Sequence, residues 1–325
     1  MEFIKKHSRT ILPFAGLAIV VIVLSILSEG RILAAANLNN ILDQCYTIVI
    51  LSVGCTFLYA HGGFDLAVGG IYGLSMMVSG LIFLSSAVTV VGADGSESSS
   101  YMSVWLALPL CIVVSLVCYL IMGLVTVKLN LPAFITSLCM QFICRGIVTT
   151  ISSGNINLPS EFSVADNWII KLIVLAVMLV AAYFLLHRTA LGRKNCAIGE
   201  NPVAARQSGI NVTKVRLAAY IITAVMVGVA GFFAMSSART VATLAGSGFE
   251  MDVIVAIVLG GMSLNGGMGS SVRAPIIGAL IVVLLTNGLV IIGVPSQWSD
   301  FVIGVVFLIV ILFNYKRNKL GLLPR

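Results

Sequence analysis

Four polar side chains stand in or beside otherwise apolar stretches of this chain: Asp65, Gln141, Arg145 and Asn287. A buried amide or ion costs free energy unless it finds a hydrogen-bonding partner or a wet cavity. Each therefore marks either an internal tie or the wall of a polar path. Asp65 lies in Tyr59-Ala60-His61-Gly62-Gly63-Phe64-Asp65-Leu66-Ala67-Val68-Gly69-Gly70, where it is suited to cap a helix that starts at Leu66. The residues leave two readings open here. One is a tight turn with a capping aspartate; the other is a discontinuous helix beside a transport path, because free backbone polar groups at membrane depth are tolerated only next to a cavity. Gln141 and Arg145 are four residues apart and share one helical face. Arg145 reads better as a structural charge bonded to backbone carbonyls than as a direct ligand. Asn287, in Thr286-Asn287-Gly288, needs a partner or water for its amide.

A second constellation is Gly199-Glu200-Asn201-Pro202-Val203-Ala204-Ala205-Arg206-Gln207-Ser208-Gly209. Its residues spell a short helix: Asn201 as N-cap, Pro202 in the first helical position and Gly209 closing the C-terminus. Seven residues do not hold a helix alone in water, so this one must dock. It either lies against the chain's own bundle or inserts into a groove of a separate subunit, and the residues alone do not choose. A third stretch, Leu259-Gly260-Gly261-Met262-Ser263-Leu264-Asn265-Gly266-Gly267-Met268-Gly269, carries small residues at a density that permits close helix crossings.

Other chemistry is missing. There is no GxxxxGK[ST] to cradle a nucleotide phosphate. The three histidines, His7, His61 and His187, form no HExxH and no nucleophile–base pair, and no Cys/His cluster suggests a metal. The seven cysteines are an odd number, and none falls in an expected outer loop, which argues against a disulfide framework.

The elements that must hold these residues follow from composition. Of 325 residues, 59% are hydrophobic and 10% charged, with mean hydropathy +1.09, against about 25% charged in an ordinary soluble domain. A cytosolic enzyme, a secreted domain and a disordered chain are excluded, and an all-α polytopic membrane bundle remains. Ten apolar runs are expected to cross the membrane: 11–28, 38–60, 66–91, 103–127, 133–152, 168–186, 217–238, 251–264, 276–293 and 298–314. The eighth is short or interrupted. The chain then forms a single transmembrane domain over 1–325, with a long inner loop at 187–216.

Charge placement orients it. With ten spans and the N-terminus inside, Lys5, Lys6, Arg9, Lys128, Arg188, Arg193, Lys194, Arg206, Lys214, Arg216, Arg273, Lys316, Arg317, Lys319 and Arg325 lie on one side, 15 of the 19 basic residues. The outer loops carry Asp94, Glu97, Glu161 and Asp166. This positive-inside pattern puts both termini in the cytoplasm and makes the net charge of +7 a matter of topology, not of nucleic-acid binding. The first apolar run is longer than a signal peptide's core, so it reads as an uncleaved span. Ionisable groups within the spans are sparse, which argues against a self-sufficient carrier driven by protons or sodium. Such a carrier or facilitator is the alternative reading.

The stretches GGFDLAVGG, LNLPAFITSL with CRGI (129–147), RTALGRKNCAIGENPVAARQSGI (188–210), IVLGGMSLNGGMGS (257–270) and TNGLVIIGVPSQW (286–298) resemble, in order and spacing, the integral-membrane permeases of ribose-type sugar ATP-binding cassette importers. The resemblance covers nearly the whole chain. It implies a permease of the bacterial inner membrane that works in a pair, identical or paralogous, with two ATPase subunits and an extracytoplasmic solute-binding protein, surrounded by lipid. ATP and Mg would be bound by the ATPase, and this chain would carry no cofactor and no catalytic residue. The family's coupling segment maps onto Gly199, Glu200, Asn201, Pro202, Ala204, Ala205 and Gly209; the expected substrate pathway near Asp65, Gln141, Arg145 and Asn287 rests on their polarity alone. Four residues depart from the family pattern. Val203 replaces the signature Glu, Phe64 replaces a small aliphatic residue, and Arg273 and Pro275 follow the glycine-rich segment.

Overall fold

Long apolar runs with breakers only at their ends form helices, and the computed structural model, which describes residues 2–91, 97–263 and 266–319, is built of them. In chain order they are α1 (Glu2–Leu27), α2 (Ala35–Ala60), α3 (Val68–Ser85), β1 (Val88–Val91), β2 (Glu97–Ser100), α4 (Ala107–Lys128) and α5 (Ala133–Ile151). There follow β3 (Ile156–Asn157), α6 (Trp168–His187), α7 (Ala190–Glu200), α8 (Pro202–Gln207), α9 (Val212–Ala238), β4 (Thr240–Val241), α10 (Phe249–Leu259), α11 (Arg273–Ile291) and α12 (Ser296–Lys319). Prolines stand where a missing N–H costs nothing: Pro132 just before α5, Pro202 at the head of α8 and Pro275 in the first turn of α11.

Each of the ten expected spans contains a helix. Among the described residues, seven helices are long and apolar enough to cross a membrane: those over 37–60, 68–85, 104–128, 133–151, 168–187, 212–238 and 273–291. The expected eighth span is only α10, whose 11 residues reach about 16 Å, roughly half the ~30 Å of hydrocarbon. Its expected end at 264, and Asn265, lie outside the described residues.

Two expectations need correction. The third span was expected to run as one helix to residue 91, but α3 stops at Ser85, and β1 pairs antiparallel with β2, Val88 opposite Ser100. Four consecutive residues of Val88-Thr89-Val90-Val91 are β-branched, and such side chains favour a pleated strand over a helix. The inner loop at 187–216 was expected to hold one short helix. It holds two, because Thr189 caps α7 by accepting the Gly192 amide at 3.3 Å.

Packing places α2, α3 and α9 at the centre of the chain and leaves α5 and α6 at its margin. Close crossings rest on small residues. The Gly228 backbone on α9 lies against Ile112 of α4, beside Ser115 Oγ, which donates to the Ala224 carbonyl at 2.8 Å. The approach of α10 and α11 is closer still. A Cβ on Gly278 would stand 1.7 Å from the Ala256 carbonyl oxygen, so no side chain fits there.

Candidate functional site

The two ends of α2 carry the two arrangements of interest, about 25 Å apart at 1.5 Å per residue. At its start, Asn40, Asp43, Gln44 and Thr47 fall at i, i+3, i+4 and i+7 and form one polar stripe. This stripe walls a cavity of about 460 Å³. Phe233, Ala234 and Ser237 of α9 face it, with Phe249 and Asp252 of α10 and Val282, Val283 and Thr286 of α11. Tyr46 and Phe233 meet edge to face at 5.5 Å, and the Tyr46 hydroxyl has no partner among the described residues. The walls thus combine carboxylates, amides, hydroxyls and aromatic faces, and the volume is that of a small-molecule site.

A charge cluster closes the rim. Lys171 of α6, 1% exposed, donates to Asp43 Oδ1 at 2.7 Å and also pairs with Asp166 and Ser237. Ser237 Oγ donates in turn to Asp166 Oδ1 at 3.0 Å. The ammonium also lies 4.8 Å from the centre of the Trp168 ring. A buried cation is tolerable when it is this fully paired. The cluster ties the start of α6 to the start of α2 and the end of α9.

None of the four polar residues singled out by sequence lines this cavity. Asp65 is fully buried; its Oδ1 accepts the Ala67 amide at 2.8 Å and its Oδ2 the Tyr119 hydroxyl at 2.7 Å. The expected cap is thereby corrected: α3 begins at Val68, two residues later than expected, with Ala67 in the N-cap position, and Asp65 holds the turn before it and ties α4 to that turn. Gln141 Oε1 accepts the Gly70 amide at 2.7 Å, and Arg145 Nη1 donates to the Ala245 carbonyl at 2.7 Å. Arg145 is thus bonded to a backbone carbonyl, as its sequence context favours. These two residues bring α3, α5 and the segment before α10 together. Asn287 Oδ1 is buried without a partner among the described residues and neighbours Thr286 at the cavity. The missed residues, Asn40, Asp43, Gln44 and Thr47, had a signal in the sequence: four polar side chains at helical spacing within one apolar run.

The other end of α2 carries α7 and α8. Asn201 Oδ1 accepts the Val203 and Ala204 amides at 3.0 Å each, Pro202 starts α8, and Gly209 takes φ +79° after its end. Ala205 alone of α8 is buried, against Ile198, Val212 and Val215; Val203 is 64% exposed. α7 is fastened to α2. Asn195 Nδ2 donates to the Phe57 carbonyl at 2.7 Å, so its Oδ1 is left to accept from His61 Nδ1 at 3.1 Å. Burial, and the Arg216 guanidinium after it, push the His61 imidazole down to about 3, so the ring is neutral and carries its proton on Nδ1. Glu200 Oε1 accepts the Met268 amide at 2.8 Å. Replacing Asn201 by Ala should cost about 1 kcal/mol of local stability, read as faster amide exchange at Val203 and Ala204 with the spans unchanged.

A bundle of long apolar helices around a polar cavity, with an ordered helical projection at one end, is the build of a multi-pass membrane permease. Residues 37–311 match the family described as branched-chain amino acid transport system / permease component, and this chain belongs to that family. It is 32% identical over 296 residues to the ribose import permease protein RbsC of Escherichia coli K12, covering 87% of this chain and 86% of that protein. Identity to RbsC of Bacillus subtilis 168 is 34% over 316 residues, covering 94% and 92%. The autoinducer 2 import system permease protein LsrC of Yersinia enterocolitica is 30% identical over 286 residues, covering 84% and 74%. The resemblance to ribose-type permeases is therefore borne out. No solved structure matches the chain.

Proposed function

We propose that this chain is the translocation subunit of an ATP-binding cassette importer for a sugar or sugar-like solute. It sits in a bacterial inner membrane with about ten spans and both termini in the cytoplasm. ATP and Mg are held by a partner ATPase subunit, an extracytoplasmic solute-binding protein delivers the cargo, and a second permease, identical or paralogous, completes the pathway. The observation that carries this reading is α8: pre-ordered by its Asn201 cap, held to the bundle through Ala205, and exposed elsewhere. A helix presented in this way suits a groove on another subunit, and α7 links it to the end of α2. In this orientation the cavity opens toward the outside and α8 toward the cytoplasm.

The cavity supports the choice of cargo. Carboxylates and amides bond vicinal hydroxyls, and Tyr46, Phe233 and Phe249 offer faces for the apolar side of a sugar ring. The lining includes Asp43 and Asp252 but no cation. A substrate carboxylate, such as an amino acid carries, would find no cation in that lining to pair with, since Lys171 is already held by Asp43 and Asp166. Asp65, Gln141 and Arg145 then act as ties that shape the pathway, and Asn287 stands beside it.

The test is reconstitution with the ATPase and solute-binding subunits in proteoliposomes. Val203→Arg should abolish ATPase association while the permease stays folded. A bulky replacement of Ala205, which is packed against Ile198, Val212 and Val215, should lower transport-coupled ATP hydrolysis about tenfold, roughly the 1.4 kcal/mol expected when a tight site is overpacked. At Gly209, which has open space but φ +79°, backbone strain should have a similar effect. Full coupling in all three would sink the reading. Uptake by the chain alone on a proton or sodium gradient would favour a secondary carrier.

A further inference from the structure

A second cavity of about 360 Å³ lies at the α8 end of the bundle, between the end of α6 and the start of α11. Tyr183, His187, Arg188, Ser271 and Arg273 line it, without a carboxylate. Arg273 is one of the positions where the sequence departs from its family, and transport gives it no task. Among the described residues neither guanidinium has a carboxylate within 4 Å. Neither charge is neutralised by an ion pair among the described residues, and both line one space with the first turn of α11 beside them. The positive end of a 19-residue helix adds to the attraction for an anion.

The surface leading to this cavity decides what kind of anion it takes. Ile173, Val177, Val180 and Phe184 are all exposed, and their spacing of 4, 3 and 4 residues puts them on one stripe of α6. His187 and Arg188 follow Phe184 at i+3 and i+4, so the stripe runs directly into the basic cavity. Its apolar part runs 11 steps from Ile173 to Phe184, about 16 Å, roughly the length of an acyl chain in one leaflet. A free phosphate would use the basic cavity alone; a phospholipid would use both.

We propose that Arg188 and Arg273, with Tyr183 and Ser271, bind the headgroup phosphate of an anionic phospholipid whose acyl chains lie along the exposed face of α6. Clustered basic groups between transmembrane helices favour anionic headgroups in this way. The two guanidiniums supply charge and paired donors. The tyrosine and serine hydroxyls donate to the remaining phosphate oxygens. The lipid would fill the gap between the end of α6 and the start of α11.

The test is native mass spectrometry of the full-length chain in detergent, titrated with phosphatidylglycerol and, in parallel, phosphatidylcholine. The wild type should retain phosphatidylglycerol in preference. Replacing both arginines (R188Q with R273Q) should weaken that retention about thirtyfold, since each basic group near an anionic lipid contributes about fivefold. Lys214→Gln, at the same end but outside the cavity, should change nothing, and the R188K/R273K pair should keep most of the binding. Equal retention by wild type and the double glutamine variant would overturn the proposal. So would displacement of the lipid by millimolar inorganic phosphate, which would make this a free-anion site. If the double variant does not fold, amide exchange in the wild type decides: phosphatidylglycerol should protect 183–193 and 268–275, and no protection there defeats the proposal.

Discussion

Gly199→Val is expected to disconnect ATP hydrolysis from transport, with a loss of at least about tenfold in substrate-stimulated turnover, equivalent to ~1.4 kcal/mol. A Cβ at Gly199 would stand 2.2 Å from the Ala60 carbonyl oxygen and 2.6 Å from the Gly267 amide nitrogen. Both are backbone atoms, and they already bond to each other at 2.9 Å. They cannot swing aside as a flexible side chain would. The valine must therefore lift α7 away from the end of α2 and from the segment between α10 and α11. With it go the Asn195–Phe57, Asn195–His61 and Glu200–Met268 bonds, which link α7 to those elements. α8 keeps its own cap and its Ala205 contact, so the ATPase still binds but its motion no longer reaches α2. Checking this takes three readings on one preparation: ATPase association, substrate-stimulated hydrolysis and amide exchange across α2. Loss of association together with hydrolysis would mean that α7 holds α8 in place and does not transmit its movement. Wild-type stimulation would remove the link from the mechanism.

What the sequence disclosed and what it concealed divide along the range of the interaction. α8 was legible because its signals are local: Asn201 caps amides two and three residues on, Pro202 sits at the first position, and Gly209 takes the left-handed turn. Asp65 was legible in part for the same reason, since it bonds the amide two residues on. Its Tyr119 bond, 54 residues away, was not. The hairpin after α3 was hidden by hydropathy, because Val88–Val91 is as apolar as the helix before it and only its β-branching separates the two. α7 was overlooked because its composition is mixed and its burial comes from α2. Asn40, Asp43, Gln44 and Thr47 repeat at helical spacing, but that spacing does not separate a cavity wall from a packed polar face until α9, α10 and α11 close around it. Lys171 could not have been assigned at all. Its partner Asp43 is 128 residues away, and only the packing of α6 on α2 joins them.

That lysine separates structure from transport, because its two carboxylate partners differ in what else they face. Asp43 lines the cavity, whereas Asp166 does not. Lys171→Met should destabilise the chain by about 1–3 kcal/mol, less than the 3–5 of a fully buried pair, because the side chains of Asp43 and Asp166 are 37% and 36% exposed and water can take up part of their charge. The lysine hole also leaves two carboxylates that shared one cation to repel each other, so adding Asp166→Asn to the methionine variant should restore part of the loss. The single variants should then part company. With Asp43→Asn, Lys171 keeps Asp166 and the fold keeps most of its stability, but the cavity loses a carboxylate that can take two sugar hydroxyls. Uptake should fall about tenfold or more, as expected when a charged hydrogen-bonding group is lost from a site. With Asp166→Asn, Lys171 keeps its Asp43 bond at 2.7 Å, the cavity lining is intact and uptake should stay within about twofold, since the buried cation retains a carboxylate partner. Thermal melts and proteoliposome uptake on the same four variants read the two effects separately. Equal loss of uptake in Asp43→Asn and Asp166→Asn would make the cluster a clamp between α2, α6 and α9 and would take Asp43 out of the solute path.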